Sequence, residues 1–177
     1  MQAEVIANED RMWKWIDWLC KGLEYVIALF LAVMVCLVFG NVVLRYGFNS
    51  GITISEELSR WLFVWMTFLG AVVALHQGGH LGTEVLIKRL GASGRKVFLT
   101  VAYLSMLFVC WLIFSGAWEQ TKINITTTSA VMQASVALFY ASGVVFAILA
   151  GLILIRDLFR LLSGKTEEQE RQTIQDS

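Results

Sequence analysis

The sequence predicts an all-α integral membrane protein with four transmembrane helices, both termini in the cytoplasm, and short amphipathic helices at the membrane surface. Three observations lead to this prediction. The 177 residues are 57% hydrophobic and only 16% charged, a composition too apolar for a soluble domain to cover with polar surface. Four stretches have the length of about 20 apolar residues that a helix needs to cross roughly 30 Å of hydrocarbon. The basic residues are distributed unevenly between the flanks of these stretches.

The four predicted spans are residues 25–44, 58–75, 97–118 and 136–155. The first, third and fourth contain no charged side chain, and the second contains only Arg60, in its first turn. Every backbone polar group in such a segment has to be hydrogen-bonded within the segment, which an α-helix achieves. The first span is too long for a signal-peptide core and lacks a small-residue cleavage pattern, so we expect a retained signal anchor.

The distribution of lysine and arginine predicts the orientation, because basic flanks resist translocation. The N-terminal segment, the loop after the second span and the C-terminal tail together hold eleven of these residues, whereas the opposite side holds Arg45, Arg60 and Lys122. We therefore expect both termini and residues 76–96 in the cytoplasm. The formal net charge is zero, which gives no electrostatic basis for nucleic-acid binding; the basic residues serve orientation and contact with anionic membrane lipid.

Charge and periodicity divide the chain into three parts. Residues 1–22 mix tryptophans with charges and predict a cytoplasmic segment with a short helix at the interface. Residues 23–162 form the four-helix membrane domain, and apolar positions on one face of residues 81–90 predict a second surface helix within it. Residues 163–177 are acidic, rich in glutamine and without periodicity, so we expect a mobile cytoplasmic tail.

Polar residues cluster where the first span ends and the second begins. Thr53 and Glu56 have the spacing of a capping box, in which a hydroxyl and a carboxylate bind the first free amides of a helix. Capping, the helix dipole and ion pairing with a nearby arginine account for most of this cluster. The alternative is an interface with a partner protein at the outer rim of the membrane. The candidate residues for that interface are Asn41, Arg45, Glu56, Glu57 and Arg60.

Small residues recur at every fourth position in three of the spans. Such lines let helix backbones approach closely in lipid, which offers no hydrophobic drive between helices. Packing within the bundle and packing against a helical partner are both compatible with them. The predicted packing positions are Ala28, Ala32, Cys36 and Gly40 on the first span, Gly70 and Ala74 on the second, and Gly143, Ala147 and Gly151 on the fourth.

The spans lack the groups that chemistry and transport usually need. No acid or histidine lies near the centre of a span and the sequence has no proline, although substrate sites of secondary transporters generally use such features. A haem protein would need axial histidines in the spans and a thiol oxidase would need external cysteine pairs. His76, His80 and Glu84 are too few ligands for a metal site. We expect no catalytic, cofactor or metal site, and a chain ill equipped to transport alone.

Several motifs match those of a known family in order and in spacing. They are Asn-Val-Val-Leu-Arg-Tyr at 41–46, Glu-Glu-Leu-Ser-Arg at 56–60, Trp-Met-Thr-Phe-Leu-Gly-Ala at 65–71, and His80 before an amphipathic segment that ends at Arg89-Leu90. Through them the chain resembles the small membrane subunit, the DctQ-like small permease, of tripartite ATP-independent periplasmic (TRAP) transporters. The clear similarity covers residues 25–110, and Leu-Phe-Tyr-Ala-Ser-Gly at 138–143 agrees further along. The chain lacks the prolines that many relatives have after Leu90 and before the last span.

The resemblance implies a subunit in the bacterial inner membrane and not an enzyme. Its transporter would import an organic acid, such as a dicarboxylate, keto acid or sugar acid, with a cation gradient. Its partners would be a large many-helix permease subunit, which carries substrate and ion, and a periplasmic solute-binding protein. This chain would scaffold the large subunit and help dock the binding protein. The alternative is a self-sufficient small homodimeric transporter, for which Glu56 and Glu57 are the candidate essential acids.

Overall fold

Four helices make up the described part of the protein. The computed structural model describes residues 2–77 and 92–162, with side chains from residues 15 and 94 onward in the two ranges. The helices are α1 (Gln2–Gly47), α2 (Thr53–His76), α3 (Ala92–Ile123) and α4 (Ala137–Leu162). All four are long and apolar enough to cross a membrane, which confirms the predicted fold class. The surface helix predicted at residues 81–90 and the tail at 163–177 lie outside the described residues.

The first helix is longer than the membrane is thick. α1 has 46 residues without a break, which corresponds to roughly 69 Å of helix, against roughly 30 Å of hydrocarbon. The helix expected around the N-terminal tryptophans is therefore the first part of α1 and not a separate element. A single glycine such as Gly22 weakens a helix by about 1 kcal/mol and does not interrupt it. Trp15 and Trp18 are 70% and 75% exposed, as expected for side chains at a membrane surface.

The helices pack side by side in the order α1, α2, α4, α3. The two middle helices, α2 and α4, each have a neighbour on both sides, whereas α1 packs mainly against α2 and α3 mainly against α4. Burial follows this order: within the most apolar stretch of each helix, 33% of α4 is buried and none of α1. The two end helices therefore expose most of their apolar surface.

The best-packed region lies between α3 and α4. It centres on Cys110 of α3 with Ala150 and Leu154 of α4, and all three are buried. α2 joins this core through Phe68, whose ring centroid lies 5.4 Å from that of Phe146. Aromatic pairs at this separation add to the stability gained from burial alone.

The small residues predicted on α4 pack inside the bundle. Gly143 and Ala147 are buried, and a Cβ added at Gly143 would lie 3.1 Å from the Cβ of Ala117 on α3. That distance leaves no room for a larger side chain, so Gly143 sets how closely α3 and α4 approach. Gly151, at the end of the same line, has open space where a Cβ would lie.

The small residues predicted on α1 and α2 face away from the neighbouring helices. Ala28, Ala32, Cys36 and Ala74 are exposed, and the Cβ positions of Gly40 and Gly70 are open. On α1 the half-buried residues, such as Phe30 and Met34, follow the opposite stripe, which faces α2. Packing within the described chain therefore leaves these two lines unused.

Candidate functional site

The residues predicted to form an interface lie at one end of the bundle. We call this end, which contains residues 48–52 between α1 and α2 and residues 124–136 between α3 and α4, the loop end. Asn41 fixes the first of these turns, because its Oδ1 accepts a hydrogen bond from the backbone N–H of Ile52 at 2.8 Å. Asn49 adopts a positive φ of 50° in the same turn, a conformation that asparagine tolerates better than most residues. Asn41 therefore has a structural role within the chain.

The predicted capping box at the start of α2 is wrong. The N-cap is Ile52, and no side chain caps it. Ile52, whose N–H binds Asn41, takes the extended conformation, and the helix begins at Thr53, one residue earlier than the box requires. The hydroxyl of Ser55 instead donates to the Ile52 carbonyl oxygen at 2.8 Å. Glu56 is left exposed, with its carboxylate outside any capping interaction.

Glu57 connects α2 to the second loop. Its Oε2 accepts a hydrogen bond from the backbone N–H of Met132 at 3.2 Å. The loop is braced further by a backbone bond from Ser129 N to Ala134 O at 2.9 Å and by the Ser135 hydroxyl, which donates to Ile125 O at 2.9 Å. Glu57 thus holds the second loop against the start of α2.

The three remaining interface candidates are charged and have no ion-pair partner within the described part of the chain. Arg45, Glu56 and Arg60 are all exposed, and none forms an ion pair within 4.0 Å among the described residues. The ion pairing expected between Arg60 and the two acids is therefore not formed. Arg45 and Glu56 line a cleft of about 390 Å³ together with Asn41 and the turn residues 49–53. The loop end thus presents opposite charges on one polar cleft and a separate arginine beside it.

A second polar cluster, at the opposite end of the bundle, joins three helices. His76 Nε2 lies 2.8 Å from Asp17 Oδ1, and Arg156 NH1 lies 3.4 Å from His76 Nδ1. A guanidinium can only donate, so Nδ1 is the acceptor and Nε2 carries the proton donated to Asp17. Arg156 also pairs with Asp157 at 2.8 Å. The imidazole therefore connects α1, α2 and α4 through side chains.

Sequence reasoning missed this cluster. Asp17 and His76 are separated by 59 positions, and only the packing of α1 on α2 brings them together. A second contact supports the same junction, since Gln77 Nε2 donates to Glu24 Oε1 at 2.9 Å. The available signal was that Glu24, His76 and Gln77 lie within two residues of the end of a predicted span, whereas Asp17 lies two turns away from one. His80 and Glu84, considered with His76 as metal ligands, lie outside the described residues.

The described structure defines a class of protein. Four helices long enough to span a membrane lie in a row, and their polar contacts are concentrated at the two ends. The predicted spans contain no charged side chain except Arg60 near the start of one. These features are those of a small multi-pass helical membrane protein with polar sites at its surfaces.

The chain belongs to the DctQ component family of tripartite ATP-independent periplasmic transporters, because the family's sequence profile matches residues 34–164. A TRAP transporter small permease protein of Haemophilus influenzae is 42% identical over 138 residues, which cover 78% of this chain and 86% of the relative. A C4-dicarboxylate TRAP transporter small permease protein, DctQ, of Vibrio cholerae is 36% identical over 96 residues, covering 54% and 41% of the two chains. These relatives confirm the resemblance. They are transport components and not enzymes, and with the four apolar helices they make this chain a multi-pass inner-membrane protein.

Proposed function

We propose that this chain is the small permease subunit of a TRAP transporter that imports an organic acid with a cation gradient, and that it scaffolds the large permease subunit. The observation that carries the proposal is the exposed line of small residues on α1, at one end of the helix row. Within a family of transporter subunits, an unused close-packing surface at an end of the bundle suits a helix of a partner chain.

The line on α1 is well placed for such a contact. Ala32 and Cys36 are exposed, and Gly40 continues the line toward the loop end with open space at its Cβ position. These residues lie on the side of α1 turned away from α2, so a partner helix would extend the row without displacing any helix. Large exposed side chains beside the line, such as Leu29 at 60% and Phe39 at 68%, supply apolar surface for contact on both sides.

The same chain is poorly suited to carry substrate by itself. The centres of its spans contain no acid, histidine or proline, whereas transporters place ionisable groups and interrupted helices near the bilayer midplane. The substrate and the coupling ion then belong to the large subunit. We take an organic acid as the substrate class, and C4-dicarboxylates are one candidate because the Vibrio cholerae relative carries that substrate in its name.

Docking of the periplasmic binding protein is assigned to the loop end, which faces the periplasm if both termini are cytoplasmic. Arg60 is the docking candidate, because it is exposed and forms no ion pair among the described residues. The loop at 124–136 lies at the same end and is held by Glu57. Asn41 and Glu57 support docking indirectly, by fixing the geometry of the two loops.

Co-purification tests the scaffold proposal. The chain is tagged in its native host, extracted in mild detergent, and its companions are identified by mass spectrometry. We expect a large many-helix membrane protein in equal amount from the unmodified chain and much less from Ala32→Phe, which fills the small-residue line. Ser115→Phe is the matched control, because it adds similar bulk to an exposed position of α3, at the other end of the row.

The outcomes separate the alternatives. If Ser115→Phe loses the companion and Ala32→Phe keeps it, the contact lies on α3 and not on α1. Recovery of a lone chain or a homodimer, together with uptake by that chain alone in liposomes, would contradict the subunit proposal. It would support the self-sufficient transporter instead. Docking is tested separately: Arg60→Glu should lower uptake while leaving the companion bound, and unchanged uptake would remove Arg60 from the docking surface.

A further inference from the structure

The cleft between the ends of α1 and α2 has a chemical character that docking and scaffolding leave unexplained. Its lining residues include one cation, Arg45, and one anion, Glu56. The two groups do not pair with each other, since no ion pair within 4.0 Å joins them. A cleft with a separate positive and negative group complements a zwitterionic ligand, whose two charges are also separate.

Further hydrogen-bonding groups line the same space. Asn41 uses its Oδ1 for the Ile52 N–H, which leaves its amide nitrogen as a donor without a partner among the described residues. The hydroxyl of Ser50 and the turn backbone add donors and acceptors. Most of the lining is polar, so the cleft suits a polar headgroup rather than a hydrocarbon chain.

The position of the cleft points to lipid as the source of that headgroup. It lies where α1 leaves the predicted span, beside Tyr46 and Phe48, which are 85% and 74% exposed and mark the depth that aromatic side chains favour at a membrane surface. One turn deeper on α1, Val42 and Val43 are 46% and 44% exposed. An acyl chain can lie along this apolar surface while its headgroup occupies the cleft.

We propose that this cleft binds a phospholipid with a phosphoethanolamine headgroup, with the phosphate at Arg45 and the ammonium at Glu56. Arginine binds phosphate with charge-assisted, often paired hydrogen bonds. The primary ammonium offers three N–H donors to the Glu56 carboxylate, whereas a choline headgroup has none. The volume of about 390 Å³ accommodates a headgroup of this size with bound water.

Lipid retention measured by native mass spectrometry tests the site. The full chain, with its large-subunit companion where one co-purifies, is exchanged into detergent containing equal amounts of phosphatidylethanolamine, phosphatidylcholine and phosphatidylglycerol. We expect preferential retention of phosphatidylethanolamine. Arg45→Gln should lower that retention about tenfold, as expected for loss of a hydrogen bond to a charged group, and Glu56→Gln should abolish the preference over phosphatidylcholine. Lys122→Gln, which removes a cation from the end of α3, should change neither.

Two results of the lipid-exchange experiment would overturn the proposal: equal retention of the three lipids by the unmodified chain, or the same retention of phosphatidylethanolamine in Arg45→Gln as in Lys122→Gln. Thermal unfolding of each variant establishes that it is folded. Soluble sn-glycero-3-phosphoethanolamine and inorganic phosphate identify the source of the ligand. Stabilisation by the intact lipid alone supports the proposal. Equal stabilisation by the soluble headgroup would mean that the ligand is a free zwitterion, and equal stabilisation by phosphate would mean that it is a simple anion.

Discussion

Truncation of Asp17 measures how much the His76 cluster contributes to stability. Asp17→Ala removes the acceptor that His76 Nε2–H uses at 2.8 Å. The side chain of His76 is only 17% exposed, whereas that of Asp17 is 61% exposed. A hydrogen bond to a charged group contributes about 1.5–3 kcal/mol, and the exposure of the carboxylate reduces this through solvent screening. We therefore expect a loss of about 1 kcal/mol, which corresponds to roughly 2–4 °C in Tm for a chain of this size.

A double-mutant cycle isolates this contact from other effects of truncation. Asp17→Ala, His76→Ala and the double variant are compared in detergent by thermal and by denaturant-induced unfolding. The sum of the two single losses in unfolding free energy should exceed the loss in the double variant by about 1 kcal/mol, because the shared contact can be lost only once. Lys21→Ala, an exposed position one turn along α1, serves as the control and should leave Tm unchanged. A coupling free energy indistinguishable from zero would refute the inferred link between α1 and α2.

Three further perturbations address the packing and the loop end. Gly143→Val should destabilise the protein by about 1–3 kcal/mol through overpacking against α3, whereas Gly151→Ala should be neutral or stabilising; thermal unfolding of the two variants measures the contrast, and similar Tm values would contradict it. Glu57→Ala should speed hydrogen exchange of the Met132 amide, because this N–H then depends on its second acceptor, Ser129 Oγ at 3.1 Å, and unaltered exchange would mean that the loop does not depend on the Glu57 carboxylate. Asn41→Leu should cost about 1 kcal/mol, because it removes the acceptor of the α1–α2 turn, and a variant with unchanged Tm would show that the turn forms without it.

Apolar length predicted the fold class because the requirement is local. Each span has to satisfy its own backbone and match the hydrocarbon thickness, so residues such as 97–118 are recognisable without knowledge of any neighbour. The continuity of α1 was harder to predict. The composition changes from mixed to apolar near residue 22, which suggests a boundary between two helices, although the backbone continues as one helix there.

The sequence predicted that five candidate residues lie near one another, but not which atoms they contact. These five candidates do lie at one end of the bundle, whereas their hydrogen-bond partners depend on contacts between distant segments. Asn41 binds the N–H of Ile52, eleven positions away, and Ile52 rather than Thr53 is the N-cap of α2. The Glu57 bond to Met132 joins residues 75 positions apart. No local pattern specifies either contact, and the same is true of the helix order.

The order of the helices divides the bundle into two hairpins. α1 and α2 are consecutive neighbours joined by a five-residue turn, and α3 and α4 are consecutive neighbours with the best-packed core between them. The hairpins meet through α2 and α4, with the Phe68–Phe146 ring pair and the Arg156–His76 contact. Each hairpin can thus leave the biosynthetic machinery with its own interface already complete. Assembly of the bundle then becomes the docking of two preformed halves within the membrane, which meet at a high effective concentration because they belong to one chain.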